Sequence, residues 1–168
     1  MPDGLPAELS LRPASPRDIT WIQELERHPE SGRFLCAWPA DVHARNLADP
    51  AKRYLVAEDA GGRPRGMVIL AGLDSPARSV ELVRIALDEP GQGLGKPLLR
   101  RVVDLCFGEL GANCLWLDVS DDNERARRAY RAVGFREEGV LREAARRQDG
   151  SLGSLVVMAM LARERPGR

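Results

Sequence analysis

The chain has 168 residues with 25 basic and 25 acidic side chains, so its formal net charge is zero, and 43% of its residues are hydrophobic. This balance excludes a general electrostatic attraction to nucleic acid or to an anionic membrane surface. No segment approaches the roughly 20 apolar residues of a membrane-spanning helix. The length suits one domain with a substantial core, which we place at residues 9–162, between termini at 1–8 and 163–168 that we expect to be loose.

The N-terminal third predicts one strand and two helices. Ser15 or Asp18 can cap a helix that reaches about Arg27 and buries apolar residues spaced three apart. The proline-bounded segment 29–39 is expected to be irregular. In chain order, the elements are a strand at 9–13, a helix ending at Arg27 that buries Ile19, Ile22 and Leu25, and a short helix at 41–47.

The rest of the chain alternates strands and helices. Strands at 53–58 and 66–71 flank a hairpin turn, and the segments that follow are a strand at 80–87, a helix at 94–109, a strand at 114–119, a helix from Asn123 to Val133, and a strand at 155–161. The apolar run at 114–119 is typical of a strand covered on both faces, which places Trp116 in the core. Hairpins before a strand–helix–strand crossover predict an α/β (α+β) domain with a mixed central sheet and helices on both faces.

A glycine-rich loop joins the strand at 80–87 to the helix at 94–109. Its sequence is Gly91-Gln92-Gly93-Leu94-Gly95-Lys96. The start of the helix leaves backbone N–H groups unpaired at the positive end of the helix dipole, and glycines let a ligand approach the backbone. The loop therefore predicts a phosphate or pyrophosphate site and a nucleotide-derived cofactor.

The glycine loop also occurs in other classes of nucleotide-binding protein, and two of these do not fit this sequence. A dinucleotide-binding fold needs a third glycine where this chain has Lys96 or Leu98, and roughly 50 residues after Asp118 cannot supply its remaining strands. A Walker loop needs Ser or Thr where Pro97 stands. A purely structural turn fits the loop as well.

A second motif narrows the choice. Residues 123–130 read Asn-Glu-Arg-Ala-Arg-Arg-Ala-Tyr and are followed by Gly134-Phe135. Together with Gln92-Gly93-Leu94-Gly95 they resemble the two-part signature of the GCN5-related N-acetyltransferases (GNAT). Residues 138–143 and Asp149-Gly150 are similar to the branch that acetylates ribosomal-protein N-termini and polyamines, and the resemblance covers about residues 9–161. It implies acetyl transfer from acetyl-coenzyme A (acetyl-CoA) to a primary amine in a ternary complex.

The resemblance also implies a set of cofactor contacts. The pyrophosphate would lie on the glycine loop, the pantetheine beside the strand at 83–87, and the 3′-phosphate near Arg125 or Arg128. Pro90 departs from the family, whose loops usually carry Arg or Gln there. The cofactor-binding residues expected are Ile85, Ala86, Leu87, Gln92, Gly93, Leu94, Gly95, Lys96, Asn123 and Arg128.

Tyr130 is the candidate general acid. It lies seven residues after Asn123, nearly two helical turns and about 10 Å along the same side of a helix. Family resemblance puts it near the cofactor sulfur, where its hydroxyl would protonate the departing thiolate. A packing role for Tyr130 stays open. The thioester oxygen would accept a hydrogen bond from a strand N–H near Ile85 or Ala86.

Glu81 is the candidate base. We expect it to share a strand face with Val83, Ile85 and Leu87, and Arg84 to point to the opposite face. A carboxylate on an apolar face is costly unless it is paired or functional, and burial raises its pKa toward that of a useful base. A structural ion pair with another strand is the alternative.

Other features limit the class of protein and its location. His28 and His43 lack metal-ligand partners at useful spacing, so no metal site is expected. The odd cysteine count and the lack of a signal-peptide pattern predict a reducing, cytoplasmic location. Loops at 29–39 and 142–154 would set the acceptor: a peptide or protein N-terminus, a polyamine or another small amine. A catalytically idle acyl-CoA sensor, and either a monomer or a homodimer, stay open.

Overall fold

The computed structural model describes residues 8–167, so nearly all of the predicted loose N-terminus, 1–8, lies outside the described residues. In chain order the elements are β1 (Ser10–Pro13), α1 (Ile19–Arg27), α2 (Ala40–Leu47), β2 (Arg53–Glu58), β3 (Pro64–Ala71), β4 (Ser79–Leu87), α3 (Gly95–Asp104), β5 (Cys114–Ser120), α4 (Glu124–Val133), β6 (Arg136–Arg146) and β7 (Leu152–Leu161). A π-helical turn, Leu105–Glu109, extends α3. A 3-10 turn at Ala162–Glu164 begins the predicted loose C-terminus, where Arg165 donates to Asp104 at 2.5 Å.

All seven strands form one mixed sheet in the order β1-β2-β3-β4-β5-β7-β6. Only β4 and β5 run parallel, and they pair over just three positions, the last joining Glu81 to Trp116. Beyond that pair the two strands diverge toward their carboxyl ends. We call the opening between residues 82–87 of β4 and 117–120 of β5 the β4–β5 gap. Backbone groups that border it lack a strand partner and are available to a ligand.

Helices cover both faces of the sheet, so the predicted fold class is confirmed. One face packs on α3 and α4 around a large core, and the other packs on α1 and α2 around a smaller one. Each fully buried aliphatic side chain stabilises the fold by about 1.5–3 kcal/mol. The large core includes Leu70, Leu98, Val102, Leu115, Met158 and Met160, and the small core contains Ile22, Leu25, Tyr54, Met67, Ile69 and Ala86.

A β-bulge interrupts β4 at Val83. The register with β3 shifts there, so Val83 has no cross-strand partner. The extra residue changes the phase of the alternating side chains. Leu82 and Ile85 therefore face the large core, whereas Val83 and Arg84 face α1 and α2.

The bulge corrects the expected arrangement around Glu81. Glu81 shares the α1–α2 face with Val83, as expected, but Ile85 and Leu87 lie on the other face. Arg84, expected opposite Glu81, is on the same face. Strict alternation of side chains between the two faces of a strand does not predict this arrangement. One inserted residue moves every later side chain to the opposite face.

Two further expectations were wrong. The strand β6 was not predicted, because nearly all of its side chains are exposed and many are charged, so no apolar alternation marks it. Trp116 is half-buried outside both cores, since only Leu115, Leu117 and Val119 of β5 face the large core. Among residues 8–167, none of the helices has the length and apolarity of a membrane span.

Candidate active site

The glycine loop forms an open cradle at the start of α3. Gly91 and Gly93 have φ of +93° and +75°, which glycine adopts without strain. A Cβ at either position would meet no atom within 4 Å, so the backbone is accessible to a ligand. Leu94 stands at the N-cap and provides no side-chain cap. The first N–H groups of α3 are thus free to bind an anion.

The side chains of the loop differ in their burial. Leu94 is buried in the large core and holds the loop against the sheet. Gln92 and Lys96 are exposed, and Lys96 lies in the first turn of α3, which contains no acidic residue. The cradle therefore carries positive charge at the positive end of the helix dipole.

The start of α4 lies in the same layer as α3. The Asn123 side chain caps α4 by accepting a hydrogen bond from Ala126 N at 3.2 Å, which leaves its amide N–H₂ group able to donate. Arg127 and Arg131 form ion pairs. Arg128 is exposed and forms no salt bridge within residues 8–167, so it is available to an anionic ligand.

Backbone direction decides which groups of β4 face the gap. Asp88 N donates to Arg65 O on β3 at 2.9 Å. Because backbone groups alternate along a strand, the N–H groups of Leu87 and Ile85 point away from β3 and into the β4–β5 gap. Ala86 O lies on the β3 side, 2.8 Å from where a Cβ of Gly66 would stand. The N–H of Ile85, and not that of Ala86, is therefore directed into the gap.

Tyr130 lies on the α3–α4 side of the sheet. It is 8% exposed and packs edge-on against Phe135 with ring centroids 5.7 Å apart. Burial, with a smaller effect of the Asp118 carboxylate, raises the pKa of Tyr130 to about 12. The phenol therefore keeps its proton at neutral pH and can donate it.

Glu81 lies on the opposite, α1–α2 side, at the last paired position before the gap. Trp116 stands beside it in register, and Asp118 shares its face two residues further along β5. Partial burial raises the pKa of Glu81, and the charge of Asp118 raises it further. The pKa of Asp118 is also raised by loss of hydration, although its side chain still reaches solvent.

Asp118 is a carboxylate near Glu81 that was not predicted from the sequence to lie there. In the sequence, Asp118 only resembles the acidic residue that a dinucleotide-binding fold places about 20 residues after its glycine loop. The signal was present, because a charged residue interrupts an otherwise apolar strand. The charge of Asp118 raises the pKa of both Glu81 and Tyr130, so Asp118 lies near both side chains.

The matching family model is described as "Acetyltransferase (GNAT) family" and covers residues 15–135 of this chain. This chain belongs to the GNAT acetyltransferase family. The glycine cradle, the open β4–β5 gap and the exposed cation Lys96 fit a pyrophosphate and an extended pantetheine arm. As a GNAT protein, the chain is an acetyl-CoA-dependent N-acetyltransferase.

Several relatives and solved structures resemble this GNAT chain. A spermidine N(1)-acetyltransferase of Vibrio cholerae serotype O1 is 28% identical over 145 residues, covering 82% of this chain and 84% of that protein. The N-alpha-acetyltransferase RimI of Mycobacterium tuberculosis is 33% identical over 108 residues, 62% of this chain and 65% of its own. The structure of V. cholerae spermidine N-acetyltransferase with CoA and spermine has a TM-score of 0.83 at 26% identity, covering 94% of this chain and 97% of that one.

Proposed function

We propose that this chain acetylates a primary amine by direct transfer in a ternary complex assembled at the β4–β5 gap. The observation that supports the proposal is that Tyr130 packs on one face of the sheet, whereas Glu81 lies on the opposite face at the last pair before the gap. A proton donor on one side and a proton acceptor on the other match the needs of amide formation from a thioester.

In this proposal, the acetyl donor supplies a thioester whose pyrophosphate rests on the glycine cradle. The Ile85 N–H stabilises the charge that develops on the thioester oxygen. Glu81 takes a proton from the attacking amine, directly or through water, as the C–N bond forms. Tyr130 gives its proton to the sulfur as the C–S bond breaks. The products are an acetylated amine and CoA with a free thiol.

Proposed cofactor contacts follow the same geometry. The N–H groups of the loop and of the first turn of α3 hold the pyrophosphate, with Lys96 adding charge. Asn123 donates from its free amide group, and Arg128 meets a phosphate. The full set is Ile85, Leu87, Gln92, Gly93, Leu94, Gly95, Lys96, Asn123 and Arg128, with Ala86 adding side-chain packing on the α1–α2 side.

For the acceptor we propose a small polyamine. Two carboxylates, Glu81 and Asp118, and the half-buried Trp116 lie on one face beside the gap, which suits an amine that carries further positive charges. The names of the spermidine acetyltransferase relatives support this class. The likeness to RimI supports a peptide N-terminus as the second candidate.

Release of CoA thiol tests function and acceptor together. Spermidine should give a kcat/KM above those of a short peptide with a free N-terminus and of a monoamine such as butylamine. A peptide preference would instead select the second candidate. Binding of acetyl-CoA without turnover on any amine would identify an idle acyl-CoA sensor.

Glu81→Gln should lower activity most between the raised pKa of Glu81 and the pKa of the amine, where Glu81 is ionised while the amine is still protonated and needs a base. Because folding raises the pKa of Glu81, its basic form is lost as pH falls through that raised value. The matched variant Asp118→Asn removes the charge that helps raise this pKa, so the acidic limb of its kcat/KM profile should move to lower pH. The measurement is the pH–rate profile of each variant.

Two results would contradict this assignment. An unchanged profile in Glu81→Gln would make Glu81 structural. Loss of activity in Asp118→Asn, with Glu81→Gln still active, would transfer the role of base to Asp118.

We also propose a homodimer that pairs the free edge of β6 with that of a second copy. Val140, Leu141 and Leu152 are 56%, 52% and 53% exposed on the β6–β7 hairpin. Antiparallel pairing centred on Val140 would place Glu138 opposite Arg142. Sedimentation velocity should show a dimer that Val140→Lys dissociates, and a monomeric wild-type chain would refute the assembly.

A cytoplasmic location is proposed because all three cysteines are free thiols.

A further inference from the structure

A buried polar network links α1, α2 and β4. Glu26 and His43 are 2% and 0% exposed, and Arg84 is 7% exposed. Arg84 Nη1 donates to Glu26 Oε1 at 2.5 Å, and His43 Nε2 lies 3.1 Å from Glu26 Oε2. Tyr54 Oη lies 3.2 Å from His43 Nδ1. Buried charges require such pairing, so Glu26 and Arg84 depend on each other.

The same network fixes segment 29–39, which joins α1 to α2. Arg84 Nη2 donates to Cys36 O at 2.7 Å, and Trp38 N donates to Glu26 Oε2 at 2.9 Å. The Trp38 indole lies over the Arg84 guanidinium, which is 3.6 Å from the ring centroid. Gly32 packs so closely that a Cβ there would stand 1.9 Å from Glu26 O.

Arg84 also connects this segment to the reacting groups. It follows the Val83 bulge and directly precedes Ile85, whose N–H points into the gap. The bulge turns Arg84 toward α1 and α2, on the face that carries Glu81, Trp116 and Asp118. One side chain therefore joins the strand that borders the gap to a segment covering the acceptor side.

We propose that Arg84 is a positioning residue for acceptor specificity: it holds segment 29–39 and the Trp38 ring as a fixed wall of the acceptor site. This rests on the proposed function, in which the amine approaches from the α1–α2 face. A fixed wall lowers the entropy lost when the acceptor binds. The glycine loop and α3, where the pyrophosphate is proposed to bind, pack on the opposite face of the sheet from this network.

The test must separate positioning from stability. Arg84→Met alone leaves the Glu26 carboxylate buried without its cation and should lower the melting temperature strongly. The double variant Glu26→Gln/Arg84→Met restores neutrality, and its Gln can still accept from Trp38 N. It should recover most of the melting temperature, yet its acceptor KM should be about tenfold above wild type, because a cation–π contact and a hydrogen bond are lost. The KM for acetyl-CoA should stay within about twofold of wild type.

Arg12→Met is the matched control. Arg12, like Arg84, makes a close ion pair, here with Asp18 at 2.9 Å and Glu58 at 2.6 Å, but it lies on β1, three strands away from β4. It should change neither KM. Hydrogen–deuterium exchange of segment 29–39 should accelerate in the double variant and not in Arg12→Met.

The outcomes distinguish the two proposals. A wild-type acceptor KM in the stable double variant, or unchanged exchange of segment 29–39, would overturn the role of Arg84. A wild-type chain that turns over no amine would refute the proposed function, and the exchange measurement would still decide whether Arg84 fixes the segment.

Discussion

Acetyl-CoA should raise the melting temperature of the wild-type chain and leave that of Gly93→Asp unchanged. A ligand present at about one hundred times its Kd stabilises the folded state by about 2.7 kcal/mol. Gly93 has φ of +75° and an accessible backbone, so an Asp side chain would strain the loop and put a negative charge where the pyrophosphate binds. NAD should produce no shift in either protein. Thermal melting with each ligand is the measurement.

Gly111→Asp provides the matched control. Gly111 has φ of +64°, and a Cβ there would also meet no atom within 4 Å, so the backbone strain and the added charge are alike. It precedes the amino end of β5, away from the carboxyl ends that border the gap. This variant should lose some intrinsic stability but keep the full shift with acetyl-CoA. Normal acetyl-CoA binding by a folded Gly93→Asp protein would disprove the loop assignment.

Tyr130→Phe should slow the chemical step by about 10²–10⁴, the usual contribution of a positioned acid. The substitution keeps the ring that packs on Phe135, so stability and cofactor affinity should change little. If the hydroxyl acts only in the transition state, kcat and kcat/KM fall together. Single-turnover rates are the measurement to make, because slow product release would hide the loss in kcat.

Tyr54→Phe removes another buried phenol hydroxyl, one that contacts His43 on the small core. With saturating acceptor, the single-turnover rate of Tyr54→Phe should equal that of the wild type, although its melting temperature should be lower. A near wild-type single-turnover rate in Tyr130→Phe would remove Tyr130 from the mechanism and leave water as the proton donor.

Local sequence determined most of the secondary structure, including the glycine loop that we propose binds the cofactor. Glycines, caps and apolar periodicity act over a few residues, so the turn from β4 into α3 and the Asn123 cap of α4 were predictable from the residues themselves. The strand β6 was not predicted, because pairing with β7 holds it in the sheet and it has no apolar face of its own.

Tertiary structure alone decided how the α1–α2 side of the sheet is built. The bulge at Val83 is a shift in register between β4 and β3, and it determines that Arg84 shares a face with Glu81. Three polar side chains that are far apart in sequence come together in the fold: Glu26, His43 and Arg84. From the sequence alone each would be expected at the surface, but the structure buries them. Their positions depend on the packing of α1 and α2 against the sheet, because a buried charge is tolerated only where a distant partner meets it. No pattern among neighbouring residues in the sequence predicts that these three side chains contact one another.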